Sequence, residues 1–194
     1  YLYVTANTTL VRIAPDGTSS TFASGFPAAS EAAVDRIGNY GGFLYISTGG
    51  EDRIYRVDTS GCVSVFSSWP GSTSGGGPLG MEFDETGEYG GLMYVGTTFG
   101  ASAASKSGVF ALDTGGSASR FAGNMAVGFD IGFDTKGLFG LDMFVVGASD
   151  FGETFGLWRV VPDGTATKFA TTTESLIGSV VFGPDGAMYI SEYS

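Results

Sequence analysis

Histidine is missing from all 194 residues, and cysteine occurs once, at Cys62. The first absence excludes any mechanism that needs an imidazole base or a histidine metal ligand from this chain. The second excludes an intrachain disulfide. Basic residues are scarce, nine against twenty acids, for a net charge of −11. They stand singly, so the clustered lysines and arginines that would neutralise a phosphate backbone are lacking, and nucleic acid is excluded as a partner. Anionic membrane surfaces are disfavoured for the same reason. No apolar run approaches the ~18 residues of a membrane span, and no apolar period of 3.6 residues persists over helical length.

What remains points to strands. Hydrophobic residues make up 43% of the chain and aromatics 14%, and most aromatics sit beside β-branched residues, as in sheets. Glycine is abundant, at 33 residues, but dispersed, with no period of three.

The strongest signal is internal repetition. One apolar phrase recurs as "LYVTA" (2–6), "LYIST" (44–48), "MYVGT" (93–97), "MFVVG" (143–147) and "MYISE" (188–192). Its aromatics, Tyr3, Tyr45, Tyr94, Phe144 and Tyr189, are separated by 42, 49, 50 and 45 residues. A second strand follows each of the first four copies: "LVRIAP", "RIYRVD", "GVFALD" and "LWRVVP". Next come a tight turn (Asp16-Gly17, Ser60-Gly61, Gly115-Gly116, Asp163-Gly164) and a third strand with a phenylalanine near its end (Phe22, Phe66, Phe121, Phe169). The phrases "AAVD", "GMEFD", "IGFD" and "SVVFG" precede each later copy. Each unit thus holds four short strands, here called A to D from the centre outward.

Four-stranded units at this spacing predict an all-β fold, a β-propeller of four-stranded antiparallel blades. The chain holds about four blade equivalents in one domain, 1–194, with pieces at 1–25, 31–69, 79–122, 127–170 and 179–194. Its N-terminal piece supplies B, C and D without A, and its C-terminal piece supplies A and B without C and D. Closing a ring within the chain would set 180–183 beside 2–6 and leave 188–192 over. The expectation is a segment of a larger propeller, of six or more blades.

The glycine phrases "GNYGG", "GEYGG" and "GLFGLD" fall between strands A and B. Asp35, Asp84 and Asp134 each precede the strand-B aromatic by ten residues. Glycine permits the positive φ of a tight reversal, and an aspartate accepts backbone N–H bonds from the loop that follows it. These are read as turn architecture, with Tyr40, Tyr89 and Phe139 capping the blade's edge. Arg12, Arg56 and Arg159, each set among apolar residues of strand C, are expected to cross-link strands or blades. The formal G-x-G-x-x-G at 75–80 follows a strand D and opens no helix, so it is not a dinucleotide site.

The phrases "GFLYISTGGEDRIYRVDTSGCVSVF" and "FGPDGAMYIS" resemble the NHL-repeat and gluconolactonase-like superfamily of propellers, and the blades of quinone-dependent sugar dehydrogenases. The resemblance lies in framework residues shared by lyases, lactonases, dehydrogenases and binding proteins, so it implies fold more than function. In the lactonase branch it implies a divalent ion in the central channel. In the sugar dehydrogenase and streptogramin-lyase branches it implies a catalytic histidine, which this chain lacks.

The D-to-A and B-to-C connections share one face of such a ring, and it is acidic here: Glu31, Glu51, Asp52, Asp130, Asp150, Glu153, Glu174 and Glu192, with Lys106 and Arg53 as the nearby cations. Carboxylates converging on a channel suit Ca²⁺, a hard cation that takes several oxygens. Glu31 and Asp130 are the candidate metal ligands, each four residues before its strand-A aspartate and so on one strand face. Glu51, Asp52, Trp69, Asp150 and Glu153 are candidate ligand-loop residues.

Two functions are compatible with these residues. The expectation is a non-catalytic, extracellular or secreted propeller that binds a protein or glycan, or a copy of itself, through top-face loops and exposed terminal strand edges. The alternative is a calcium-dependent, lactonase-like hydrolase with an acidic channel mouth.

Overall fold

The computed structural model of the chain describes residues 1–49, 51–68, 77–97, 108–122, 124–149, 155–170 and 176–193, and among them every regular element is a strand. The first sheet holds β1 (Leu2–Ala6), β2 (Thr9–Ile13) and β3 (Ser19–Ser24). The second holds β4 (Ala32–Val34), β5 (Leu44–Thr48), β6 (Arg53–Val57) and β7 (Val63–Ser68). The third holds β8 (Pro78–Phe83), β9 (Met93–Thr97), β10 (Val109–Leu112) and β11 (Ala118–Ala122). The fourth holds β12 (Val127–Phe133), β13 (Met143–Ala148), β14 (Gly156–Val160) and β15 (Ala166–Ala170). The last is a pair, β16 (Leu176–Phe182) and β17 (Met188–Tyr193). Every pairing is antiparallel and joins strands adjacent in sequence. The expected blades are present, and β16 pairs with β17 rather than with β1.

Stacking explains why strand B is apolar at successive positions along most of its length instead of alternating. A sheet packed on both faces has no solvent side, and all of β5, β9 and β13 is buried. The core is accordingly cut into slices, each between consecutive sheets. Leu10, Phe26, Ile46 and Val57 fill the first gap, and Tyr45, Ile54, Met81 and Phe83 the second. Tyr94, Val109, Phe133 and Val145 fill the third, and Phe144, Val146, Leu157 and Val180 the fourth.

One aromatic trio recurs in these gaps. Tyr45 meets Phe66 at 4.8 Å and Phe83 of the next sheet at 5.6 Å. Tyr94 meets Phe121 at 4.9 Å and Phe133 at 5.7 Å. Phe144 meets Phe169 at 5.1 Å and Phe182 at 5.6 Å. Edge-to-face pairs of this kind add about 1 kcal/mol each beyond area burial. This is the structural reason for the phenylalanine at the end of each strand D.

The A-to-B loops are built by their aspartates. Asp84 accepts N–H bonds from Thr86 (3.0 Å), Gly87 (3.0 Å), Tyr89 (2.9 Å) and Gly91 (2.9 Å). Asp35 holds Gly38, Tyr40 and Gly42, and Asp134 holds Gly137, Phe139 and Leu141. The turn reading of these loops is therefore correct, with one revision. Tyr40 and Tyr89 do not cap their own blade's edge; they are buried and reach into the next sheet.

The arginine expectation holds in part. Arg159 pairs with the buried carboxylate of Asp142 within one blade. Arg56 instead stacks 5.0 Å over Phe43, and Arg12 lies 4.8 Å over Tyr1 and 5.4 Å over Phe22. A guanidinium's flat, weakly hydrated face suits such rings.

Candidate functional site

The innermost strands β4, β8, β12 and β16 pack side by side in that order. Three of them carry a register shift near their start, at Pro78/Met81, Gly128/Asp130 and Ile177/Ser179. Bulges at an inner edge bend the strand and re-aim side chains. Gly80 shows how tightly the edges approach, since a Cβ there would overlap the Phe129 carbonyl.

A cavity of about 410 Å³ lies at this end, and Ser30, Glu31, Phe129, Asp130 and Ser179 are among its walls. Both candidate metal ligands are thus in one place. Each also clasps the next blade. Asp130 accepts the Ser179 hydroxyl at 2.5 Å and the Val180 N–H at 2.8 Å. Glu31 accepts a backbone hydrogen bond from Met81, the residue that corresponds to Val180 two blades earlier. An innermost strand has no partner on its axial side, so a carboxylate from the preceding blade satisfies a backbone donor there.

A third acid, Glu82 of β8, completes the group, and the sequence reading passed over it. Gly80 occupies the position equivalent to Glu31 and Asp130, so the third sheet carries its acid two residues later. A two-residue step keeps the strand face, and that offset was the available signal. Glu82 takes the Phe83 N–H on Oε1 at 2.9 Å and borders a second cavity of about 280 Å³ with Arg36, Glu85 and Val181.

Burial raises all three carboxyl groups. Glu31 lies well above the ordinary carboxylate range, first through burial, then through the charges of Asp130 and Glu82. Burial lifts Glu82 to about 7, opposed by the Phe83 N–H and by Arg36. Asp130 is raised by burial against the lowering bonds from Ser179 and Val180. Near neutral pH the group therefore holds protons as well as charge, and can both donate and accept hydrogen bonds.

Among the described residues, no three histidine, cysteine or acidic side chains are grouped to hold a metal ion. Ca²⁺ takes six to eight oxygens, and Glu31 and Asp130 already receive hydrogen bonds from the neighbouring strand. The described side chains do not by themselves form a calcium cage. Of the loop candidates, Glu51 accepts the Tyr55 hydroxyl at 3.2 Å and lies 3.7 Å from Arg53. Asp52 turns the chain at φ 55°, and a Cβ on Gly77 would sit 2.8 Å from its Oδ1. Trp69, Lys106, Asp150, Glu153 and Glu174 lie outside the described residues, as does the side chain of Glu192.

No protein-family model matches the chain, and no curated protein sequence does. Solved structures do match. The gluconolactonase XC5397 of Xanthomonas campestris superposes with a TM-score of 0.69 at 16% identity, over 95% of this chain and 63% of its own. The PQQ-bound aldose sugar dehydrogenase of Streptomyces coelicolor gives 0.65 at 19% identity, over 94% of this chain and 60% of its own. TolB of Acinetobacter baumannii gives 0.64 at 17%, over 98% and 46%. The fold is a β-propeller's. It is shared with these neighbours, and the chain spans less than two thirds of their length.

Proposed function

We propose that this propeller chain is a non-catalytic binding module that works outside the cell and takes a glycan at the channel mouth. The observation that carries the reading is the make-up of the cavity of about 410 Å³: two carboxyl groups of raised pKa, two serines and a partly exposed aromatic face on a glycine-lined backbone. Carbohydrates present alternating hydroxyl donors and acceptors around apolar ring faces. Carboxyl oxygens that accept, hydroxyls that rotate to donate or accept, and the ring of Phe129 match that pattern. Histidine, the commonest general base, is absent from the whole sequence.

Calorimetric titration with a panel of neutral and acidic oligosaccharides tests this. Binding is expected for at least one, weakened about tenfold (~1.4 kcal/mol) by Phe129→Ala or Asp130→Asn. Absence of binding across the panel refutes it.

The likeness to a gluconolactonase, together with acids at the mouth, favours a second reading: a lactonase-like hydrolase that uses calcium. Glu31 and Asp130 would supply two of the ion's oxygens, and the ion would polarise the lactone carbonyl. Thermal unfolding with Ca²⁺ and with EDTA separates the readings, because an ion held by the native state alone raises the midpoint. A calcium shift of several degrees, lost in Glu31→Ala, accompanied by lactone hydrolysis, would establish the hydrolase.

A further inference from the structure

The two cavities divide the innermost strands lengthwise. The starts of β8 and β12, at Leu79 and Asp130, border the mouth. Their ends, at Glu82, Phe83 and Ile131, border the second cavity of about 280 Å³. The charged part of that second lining comes from the second and third sheets: Arg36 follows β4, Glu82 lies in β8 and Glu85 follows it.

Glu82 is largely buried and only half engaged. Its Oε1 takes the N–H of Phe83, the next residue, at 2.9 Å, and its Oε2 has no hydrogen-bond partner among the described residues. Thr135 lines the same space. Among the described residues its N–H is bonded, to the Phe133 carbonyl at 3.0 Å, and its hydroxyl is not. Arg36 is held by Glu85, 3.1 Å from its Nη1, and makes no contact ion pair with Glu82. The other charges that reach Glu82 are negative: Glu85, Asp130 of β12, and Glu31 just before β4. The facing strand β16, LIGSVVF, carries no charge.

A buried carboxylate with an open oxygen is costly until an opposite charge reaches it. A primary ammonium has three donors and no acceptor, so it matches a lining whose unengaged groups accept. A metal ion matches poorly, because the described residues offer no group of three acidic, histidine or cysteine ligands. The volume suits a molecule of a few carbons rather than a polymer.

We propose that the second cavity binds a small organic ammonium ion, a primary amine whose charged end is held by Glu82 and Thr135. The site is separate from the mouth and does not rest on glycan binding there.

The probes are butylamine and benzylamine, with butanol and benzyl alcohol as uncharged counterparts, titrated into the isotope-labelled full chain and followed by amide chemical shifts. Both amines are expected to move the amides of Phe83, Ile131 and Thr135, and the alcohols to leave them in place. The ammonium requires ionised Glu82, which titrates at about 7. Affinity should therefore rise about tenfold from pH 6 to pH 8, while the amines stay charged throughout. At pH 8, Glu82→Gln should weaken binding about tenfold or more and flatten the pH profile. Thr135→Val should weaken it severalfold and keep the profile. A folded Glu82→Gln chain that binds the amines as well as the parent overturns the site. So does an equal response to the alcohols, or an affinity that falls as pH rises. Shifts spread evenly over the chain's acidic surface also overturn it, since they mark a general attraction of cations. If Glu82→Gln fails to fold, the parent's pH profile and the alcohol controls decide. Glycan binding without amine binding sinks this site and leaves the mouth reading standing; amine binding without glycan binding does the reverse.

Discussion

The hydroxyl of Tyr89 donates to the carbonyl of Val160, 2.5 Å away and 71 residues along the chain, and accepts the Met143 N–H at 2.9 Å. One oxygen thereby satisfies two backbone groups of the following blade. Tyr40 does the same one blade earlier, to Leu112 and Met93. At the third junction the position is Phe139, which packs on Phe144 and Phe182 and has no hydroxyl to offer.

Tyr89→Phe and Tyr40→Phe therefore each leave a buried carbonyl and a buried amide without a partner. The expected loss is about 2 kcal/mol apiece, read as a lower urea midpoint with an unchanged slope. Phe139→Tyr is expected to give no comparable gain, because the last sheet presents no third strand among the described residues whose carbonyl it could reach. A neutral Tyr89→Phe would show that the blades are held by ring packing alone.

A matched pair of glycines separates strain within a turn from packing between blades. Gly17 and Gly116 both turn the chain between strands C and D, with φ of 84° and 83°. A Cβ on Gly17 meets nothing within 4 Å, whereas one on Gly116 would overlap the Phe66 carbonyl of the preceding blade. Gly17→Ala should cost about 1 kcal/mol through backbone strain, and Gly116→Ala a further ~2 kcal/mol. Equal costs by denaturant unfolding would mean that the junction yields freely.

Leu141 offers a stabilising change. It holds φ at 63°, a left-handed conformation, where the two earlier loops have Gly42 (69°) and Gly91 (64°). Its N–H still bonds Asp134, at 3.2 Å. Leu141→Gly relieves the strain at the loss of a partly exposed side chain, for a net gain of about 1 kcal/mol. A lower melting midpoint for this variant would contradict the account.

Much of this architecture was readable in the residues because each blade repeats the same local solution. "LYIST", "MYVGT" and "MFVVG" had to be apolar at successive positions, since both faces of their strand are covered. Asp35, Asp84 and Asp134 act on loops only a few residues away, so spacing alone exposed their role. Reach across the stack was not readable. Nothing near Tyr40 in sequence points to Leu112, because that contact depends on how one sheet is laid on the next. Glu31 and Asp130 were legible as neighbours from their common offset. Glu82 was not, because Gly80 has lost its side chain to the close approach of Phe129, and the acid of that blade moved two places along β8.

The buried acids fix the sign of the pH dependence. Glu82 titrates at about 7 in the folded chain against an ordinary value of 4.5, and Glu31 and Asp130 are raised as well. Between those values the folded chain keeps protons that the unfolded chain has released. Stability therefore falls as pH rises from about 4.5 through about 7, where Glu82 gives up its proton. Asp16, Asp58 and Asp163 are lowered by hydrogen bonds within their turns, so their contribution is lost only as pH drops below their ordinary 3.8. Urea unfolding of dilute protein should accordingly show greatest stability near pH 4 to 5. Glu82→Gln keeps an oxygen for the Phe83 N–H and removes the titration. The variant should lose part of the slope between pH 5 and 7 and be more stable than the parent at pH 8. An unchanged slope would show that Glu82 does not titrate in that window.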